Sequence, residues 1–265
     1  FSCNQMYYMK LVLIGSGNVA KTLAVLFKNA GHELLQVYGR DETKASEFGE
    51  ALEVPYTSLW QQINPDADLY IIAISDSALP EIGRYISLPG KLVVHTAGTV
   101  SREVLSGISD RYGVLYPLQS LRGSAPVTAQ FPFLINASKP TDIELLTNLV
   151  SSVGADFQIV DDEQRARMHL AAVWVNNFPN LFYRIAYNLC EENKTEFKLL
   201  LPLIRETALR MDGSDPAKWQ TGPASRGDEG TIKAHLDMMK EHPDWQQIYS
   251  ILSEEIKMGV DNSIR

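Results

Sequence analysis

The sequence predicts an α/β fold in which a doubly wound parallel β-sheet is followed by an all-helical C-terminal domain. Short, continuous apolar runs alternate with helical patterns up to about residue 160, and only helical patterns follow. Unbroken apolar runs are typical of strands buried on both faces, as in a parallel sheet between two layers of helices. A length of 265 residues allows two domains, which we expect at residues 1–160 and 161–265.

The first domain is expected to take its strands from six apolar runs. These runs cover residues 11–14, 34–38, 69–74, 92–94, 114–115 and 131–135. The second domain is expected to be built from four helical segments, at residues 161–192, 196–211, 229–240 and 245–258.

Composition excludes several classes of partner. Asp and Glu outnumber Lys and Arg by 32 to 24, and this net charge of -8 argues against a nucleic-acid partner. No apolar run approaches the roughly 20 residues that a membrane helix needs. The two cysteines, Cys3 and Cys190, are far apart and form no metal-binding pair, and the N-terminal residues lack a secretory pattern. We therefore expect a cytoplasmic protein with no metal and no membrane or nucleic-acid partner.

A glycine-rich turn follows the first strand and opens an amphipathic helix that ends at Gly31. In this turn Gly15 allows the sharp bend, Gly17 lets the backbone approach a pyrophosphate, and Ala20 lets the helix pack on the strand. The free N–H groups of the helix N-terminus then face the phosphates. The segment predicts a dinucleotide site of the Rossmann type, although such a turn can also bind nothing. Its residues are Gly15, Ser16, Gly17, Asn18, Val19 and Ala20.

The end of the second strand indicates which dinucleotide binds. NAD enzymes place an acid there to hold the ribose 2′-hydroxyl, whereas this strand is followed by Gly39, Arg40 and Asp41. Arg40 can pair with a 2′-phosphate, which favours NADP. The alternative is a solvated Arg40 with Asp41 serving NAD.

Ligands of open α/β sheets bind beyond the carboxyl ends of the strands. Ser75 follows the third apolar run and His95 follows the fourth, so both are expected near the nicotinamide half of the cofactor. The alternative for His95 is a structural histidine.

The segment after Asp161 carries a polar stripe on an otherwise apolar helix. Arg165, His169, Asn176 and Asn180 fall within one narrow arc, and the apolar remainder predicts a buried helix that Pro179 bends. His and Asn can hydrogen-bond a ligand at little desolvation cost, so the stripe is a candidate substrate surface; a polar network that satisfies itself is the alternative.

A second candidate surface lies near the C-terminus. Thr221 and Arg226 belong to a glycine-rich segment before a helix, which fits either an anion site or a linker.

The chain resembles the superfamily of pyrroline-5-carboxylate reductase, deazaflavin-dependent NADP reductase and 6-phosphogluconate-type dehydrogenases, and within it a bacterial family of oxidoreductases with unassigned substrate. The resemblance implies an NADP-binding Rossmann domain and a helical domain that forms a homodimer. Dehydrogenases of the 6-phosphogluconate type have a Lys-x-x-x-Asn pair on the first helix of the second domain, whereas here His169 is followed four residues later by Val173. The matching stretches are IGSGNVA at 14–20, HTAG at 95–98, YPLQSL at 116–121, HLAAVWVNNF at 169–178 and TGPASRGD at 221–228.

The leading hypothesis is an NADP-dependent oxidoreductase that transfers a hydride between NADP(H) and a small carbonyl, an imine or a deazaflavin. His169 is the candidate proton donor because imidazole exchanges protons near neutral pH. Asn176 or Asn177 would orient the substrate, and Arg226 with Thr221 would hold a substrate anion. One alternative is a non-catalytic NADP-binding sensor or scaffold dimer, which the missing lysine favours. Another is FAD or S-adenosylmethionine on the same turn.

Overall fold

A computed structural model of the protein describes residues 8–121, 131–211 and 213–263. Its contacts divide the chain into two units, Phe1–Asn177 and Phe178–Arg265. The division falls at residue 177, whereas the sequence placed it at residue 160. The difference arises because the helix after residue 161 is anchored to the sheet unit, where the buried guanidinium of Arg165 donates hydrogen bonds to the carbonyls of Gly98 and Val100.

The first unit contains one eight-stranded sheet in the order β3-β2-β1-β4-β5-β6-β7-β8. From β1 the chain adds β2 and β3 on one side, and it then returns to add β4 and β5 on the other side. This change of side between β1 and β4 creates the crevice where ligands of open α/β sheets bind. The strands are β1 (Lys10–Ile14), β2 (Glu33–Tyr38), β3 (Tyr56–Thr57), β4 (Leu69–Ile72), β5 (Leu92–His95), β6 (Arg111–Pro117), β7 (Phe133–Ala137) and β8 (Phe157–Ile159).

The predicted fold class is confirmed, with one pair of strands running the other way. All neighbouring strands are parallel except β6 and β7, which are antiparallel. The short strands β3 and β8 were not predicted, because two or three residues carry too little periodicity to be recognised.

The core occupies both faces of the sheet. Leu11 and Leu13 of β1 belong to one apolar cluster, and Val12 and Ile14 belong to the other. Successive side chains of a strand point to opposite faces, so every residue of β1 after Lys10 is apolar. This explains the unbroken apolar runs of the sequence.

Three helices accompany the sheet, and one more follows it in the same unit. They are α1 (Asn18–Asn29), α2 (Glu42–Leu52), α3 (Pro140–Ser152) and α4 (Asp162–Ala172). Asp161 caps α4 in a reciprocal pair with Gln164. The connection after β4 is a run of 3₁₀ turns, Asp76–Arg84, which contains Pro80.

The second unit is helical, as predicted. Its helices are α5 (Phe178–Glu192), α6 (Leu201–Leu209), α7 (Glu229–Met238) and α8 (Pro243–Ser263). Among the described residues, no helix has both the length and the apolar composition of a membrane span, and no cluster of His, Cys, Asp or Glu is suited to a metal ion.

The single long helix expected at residues 161–192 is divided in the structure. A π-helical turn, Val173–Asn177, separates α4 from α5. Pro179 explains it, because proline has no N–H to donate to the preceding turn and the backbone adjusts there. The expected burial of this segment is wrong for the single chain: Val175 is 76% exposed and Trp174 is 59% exposed.

Candidate active site

The turn between β1 and α1 lies at the crevice of the sheet. The Gly15 N–H donates to the Tyr38 carbonyl at 2.8 Å, and the Ala73 N–H donates to the Ile14 carbonyl at 2.7 Å. Gly15 has φ of 130°, and a Cβ at this position would lie 2.2 Å from the Ala73 carbonyl oxygen. Only glycine therefore fits where the turn passes the end of β4.

A cavity of about 550 Å³ opens beside this turn. A Cβ added to Gly17 would meet no atom within 4 Å, so the missing side chain leaves the backbone open to a ligand. No side chain caps the N-terminus of α1, and its first N–H groups stay available to a phosphate. These features fit a dinucleotide pyrophosphate. The predicted residues that line the cavity are Gly15, Ser16, Gly17, Asn18, Val19, Arg40 and Ser75.

Two predicted cofactor residues are buried away from this cavity. Ala20 is a fully buried residue of α1, as its expected packing role requires, and it does not line the cavity. The His95 side chain is also fully buried, and its Nδ1 accepts a hydrogen bond from the Ala97 N–H at 3.1 Å. Burial, together with the nearby Arg165 cation, lowers the pKa of His95 to about 4. The expected contact of His95 with the cofactor is therefore corrected to a structural role at the end of β5.

The structure separates the roles of Arg40 and Asp41. The Asp41 carboxylate caps α2 by accepting the Lys44 N–H at 3.1 Å. The Arg40 side chain is exposed and lines the cavity. An acid that is engaged as a helix cap is a poor partner for a ribose hydroxyl, whereas the exposed guanidinium suits a phosphate.

The sequence analysis missed an aromatic wall in the same cavity. The rings of Tyr38 and Trp60 stack at 4.0 Å between centroids, and those of Trp60 and Tyr85 stack at 5.6 Å. All three line the cavity that contains Arg40. Their flat apolar surface is suited to a purine ring. The three residues come from separate loops and a strand end, so no sequence spacing could have grouped them.

A second cavity, of about 590 Å³, surrounds His169. Nδ1 of His169 lies 2.8 Å from the Tyr116 Oη, and the amides Asn176 and Asn177 of the π-helical turn line the same space. The structure thus brings together the three predicted catalytic residues His169, Asn176 and Asn177. Tyr116, at the end of β6, was not among them.

Consecutive residues line the two cavities. Ser120 lines the cavity around His169, and Leu121 lines the one beside the glycine-rich turn.

Arg165, the first residue of the predicted polar stripe, is structural. Its buried guanidinium pairs with Asp162 at 2.7 Å and donates to the Gly98 carbonyl at 3.2 Å. Despite partial burial, the hydrogen bonds from Ser101 and Arg165 hold the pKa of Asp162 below its usual value. This network attaches α4, and with it His169, to the loop that follows β5.

The predicted anion site of the second unit is partly filled by the chain itself. The Asp228 carboxylate caps α7, accepting the Thr231 N–H at 3.0 Å and the Thr231 hydroxyl at 2.7 Å. The helix N-terminus is therefore already paired with an anion. Thr221 and Arg226 are both exposed in the preceding segment.

The sheet, the open glycine-rich turn and the adjoining polar cavity define a dinucleotide-binding oxidoreductase of the Rossmann type. Residues 10–98 match the family described as NADP oxidoreductase, coenzyme F420-dependent, and residues 131–256 match a domain of unknown function, DUF2520. A comparison with curated protein sequences finds no match.

Solved structures identify the family. A candidate NADP oxidoreductase from Bacteroides fragilis is 37% identical, with a TM-score of 0.88 over 96% of this chain and 100% of that one. The chain belongs to the family of this protein: it is an NADP-dependent oxidoreductase, with NADP as its cofactor.

More distant structures share the fold. A reductive aminase from Aspergillus terreus, in complex with NADPH4, cyclohexanone and allyl amine, is 14% identical, with a TM-score of 0.71 over 98% of this chain and 94% of that one. A pyrroline carboxylate reductase from Plasmodium falciparum with NADP bound is 14% identical, with a TM-score of 0.60 over 95% of this chain and 98% of that one.

Proposed function

We propose that the protein reduces a small carbonyl or imine compound with NADPH. The observation that carries this proposal is the cavity around His169, whose lining includes Ser120, next in sequence to Leu121 of the cavity beside the glycine-rich turn. A volume of about 590 Å³ suits a small organic substrate rather than a polymer. The aminase and the pyrroline carboxylate reductase that share the fold add support, since their names imply C=N chemistry.

His169, Asn176 and Asn177 of the second cavity each have a task in this proposal. Bound NADPH supplies a hydride to the substrate carbon. His169 gives a proton to the substrate oxygen or nitrogen, and Asn176 or Asn177 orients the substrate by hydrogen bonds. Arg226 and Thr221, in the second unit, remain the predicted residues for holding a substrate anion. Arg226 is the stronger candidate of the two because it carries the charge.

The test is oxidation of NADPH by the purified protein, followed at the nicotinamide absorbance band. The substrate panel contains imines, keto acids, simple ketones and a deazaflavin. Turnover well above the protein-free rate with a carbonyl or imine supports the proposal. Turnover with the deazaflavin alone would assign a different hydride acceptor. Tight NADPH binding without any turnover would favour the NADP sensor instead.

Replacement of His169 tests its role directly. His169→Gln is expected to lower kcat by about 10²-fold, because a positioned acid contributes 10²–10⁴-fold, while the Kd for NADPH stays unchanged. His242→Gln is the matched control, since His242 pairs with Glu192 on the second unit. A kcat of H169Q equal to that of the wild type would remove His169 from the mechanism.

We further propose a homodimer formed through the helical unit, in a reducing cytoplasmic compartment. The support for the dimer is apolar exposure: on α6, Leu203 is 62% exposed and Leu209 is 84% exposed. Several exposed apolar side chains on one helix favour a surface that binds another protein.

A further inference from the structure

The His169 ring is held from two sides. The Tyr116 Oη lies 2.8 Å from Nδ1, and the two rings meet edge to face at 5.9 Å between centroids. On another side the ring packs on Gly98, where a Cβ would lie 2.6 Å from Nδ1. Neither contact involves Nε2, which has no hydrogen bond to any residue in the described part of the chain. One ring nitrogen is therefore occupied and the other is open.

Tyr116 is suited to stay bonded to Nδ1 in both protonation states of the imidazole. Burial raises the pKa of Tyr116, and Asp76 raises it further while Arg165 lowers it, so the phenol keeps its proton at neutral pH. A phenol both donates and accepts hydrogen bonds. It can accept from the Nδ1–H of the imidazolium and of the neutral Nδ1–H tautomer, and it can donate to Nδ1 of the neutral Nε2–H tautomer.

We propose that Tyr116 is a positioning residue that engages Nδ1 of His169, so that the proton given to the substrate leaves from Nε2. This inference rests on the proposed function and specifies its proton path. The substrate carbon gains the hydride, and the C=O or C=N π pair moves to the heteroatom. The heteroatom then takes the Nε2 proton of the imidazolium. His169 is left neutral with its Nδ1–H on the Tyr116 oxygen, and a solvent proton restores Nε2–H.

Tyr116→Phe removes only the hydroxyl and keeps the ring that packs against His169. We expect kcat to fall about 10- to 100-fold because the imidazole loses its fixed orientation, while KM and the Kd for NADPH change little. The double variant Y116F/H169Q should be no slower than H169Q, since residues that act as a unit are not additive. Tyr112→Phe is the matched control: Tyr112 lies on the same strand, donates to Glu103 at 2.6 Å and lines neither cavity.

A measurement without substrate separates this inference from the proposed function. In ¹⁵N NMR spectra of the protein, assigned by comparison with H169Q, the Nδ1 resonance of His169 should show a hydrogen-bond shift. The shift should vanish in Y116F and persist in Y112F. An unchanged resonance or an unchanged kcat in Y116F overturns the role of Tyr116 and leaves the reductase intact. A rise in KM equal to the fall in kcat also overturns it, because Tyr116 would then be a binding contact. Absence of NADPH oxidation by the wild type overturns the proposed function itself, whatever the spectra show.

Discussion

Two adjacent residues, Arg40 and Asp41, have opposite implications for the cofactor. The sequence allowed either NADP or NAD, because an arginine and an aspartate both follow the same strand. Their neighbours decide between them: Asp41 is engaged as the cap of α2, and Arg40 lines the cavity. The family assignment to NADP agrees with this local arrangement.

Removal of the Arg40 charge should change cofactor preference. In Arg40→Ser the Kd for NADPH is expected to rise about 10- to 100-fold, because a hydrogen bond to a charged group is worth about 1.5–3 kcal/mol. Isothermal titration calorimetry measures both cofactors, and NADH serves as the internal control because it lacks the 2′-phosphate. An equal loss for NADH and NADPH would contradict the assigned role of Arg40.

His95 shows how burial changes the role of a residue that the sequence placed in the site. A histidine at the end of a strand was expected to face the cofactor, but the side chain points into the protein and is fully buried. The sequence gives the position along the strand. Whether the ring faces solvent depends on what packs over it.

The buried His95 predicts a loss of stability in acid. The pKa of His95 is about 4 in the folded protein and 6.5 in the unfolded chain. Between these pH values the unfolded chain binds a proton at His95 and the folded protein does not. The stabilisation is complete above pH 6.5 and is lost as the pH falls towards 4, with about 2 kcal/mol lost at pH 5. Urea unfolding at pH 7 and pH 5 measures it.

His95→Asn should reduce this pH dependence, because the asparagine oxygen can still accept the Ala97 N–H without taking up a proton. Burial also lowers the pKa of His32. His32 should therefore make the same contribution to the loss of stability in acid in H95N and in the wild type. His242, which is only partly buried, provides the control in H242Q. Equal acid sensitivity of H95N and the wild type would show that His95 is accessible to protons in the folded state.

At the scale of elements, the turn between β1 and α1 combines two glycines with different constraints. Gly15 is required by the fold, since its φ is positive and the Ala73 carbonyl leaves no room for a Cβ. Gly17 is required by the ligand, since its φ of -80° is open to any residue and its Cβ would meet only the open cavity.

Alanine at these two glycines should therefore have contrasting effects. Gly15→Ala is expected to lower the free energy of unfolding by about 2–4 kcal/mol through strain and overlap. Gly17→Ala is expected to leave Tm unchanged and to raise the Kd for NADPH about 10- to 100-fold through lost backbone contacts with the phosphates. Differential scanning calorimetry and NADPH titration on each variant separate the two effects. The interpretation fails if G17A loses stability as G15A does.

The segment from Asp162 to Glu192 differs from its sequence-based prediction in both continuity and burial. Its composition indicated one buried helix with a polar stripe. The structure instead shows two helices joined by a π-helical turn, with Arg165 buried and most apolar side chains exposed. The periodicity of the sequence predicted the helix, and Pro179 predicted a bend in it. Neither feature shows which face of the helix is covered by other parts of the protein.

At the scale of the whole molecule, the exposed apolar residues of the helical unit predict association. Leu203→Glu together with Leu209→Glu should convert the proposed dimer to a monomer at micromolar concentration, because charged side chains cannot be buried unpaired in an interface. Sedimentation velocity measures the mass. Leu59→Glu, at an exposed leucine of the first unit, is the control and should sediment as the wild type does. A monomeric wild type, or a double variant that remains dimeric, would refute this dimer interface.

The sequence by itself determined the fold class and the helical second unit, and it predicted the site of the cofactor pyrophosphate. Each of these features depends on a short stretch of sequence. Unbroken apolar runs indicate strands buried on two faces, and the glycine-rich turn indicates a close approach of backbone to ligand. The catalytic candidates His169, Asn176 and Asn177 were also found locally, as polar residues on an apolar helix.

Only the tertiary structure decided which of these residues meet. Tyr116 and His169 are 53 positions apart and come together because β6 and α4 converge at the carboxyl edge of the sheet. Contacts in the folded chain also decide that His95 is buried, that Asp41 caps α2 and that Tyr38, Trp60 and Tyr85 form an aromatic wall. Contacts between distant segments depend on the order and packing of whole elements, and no spacing within the sequence records that order.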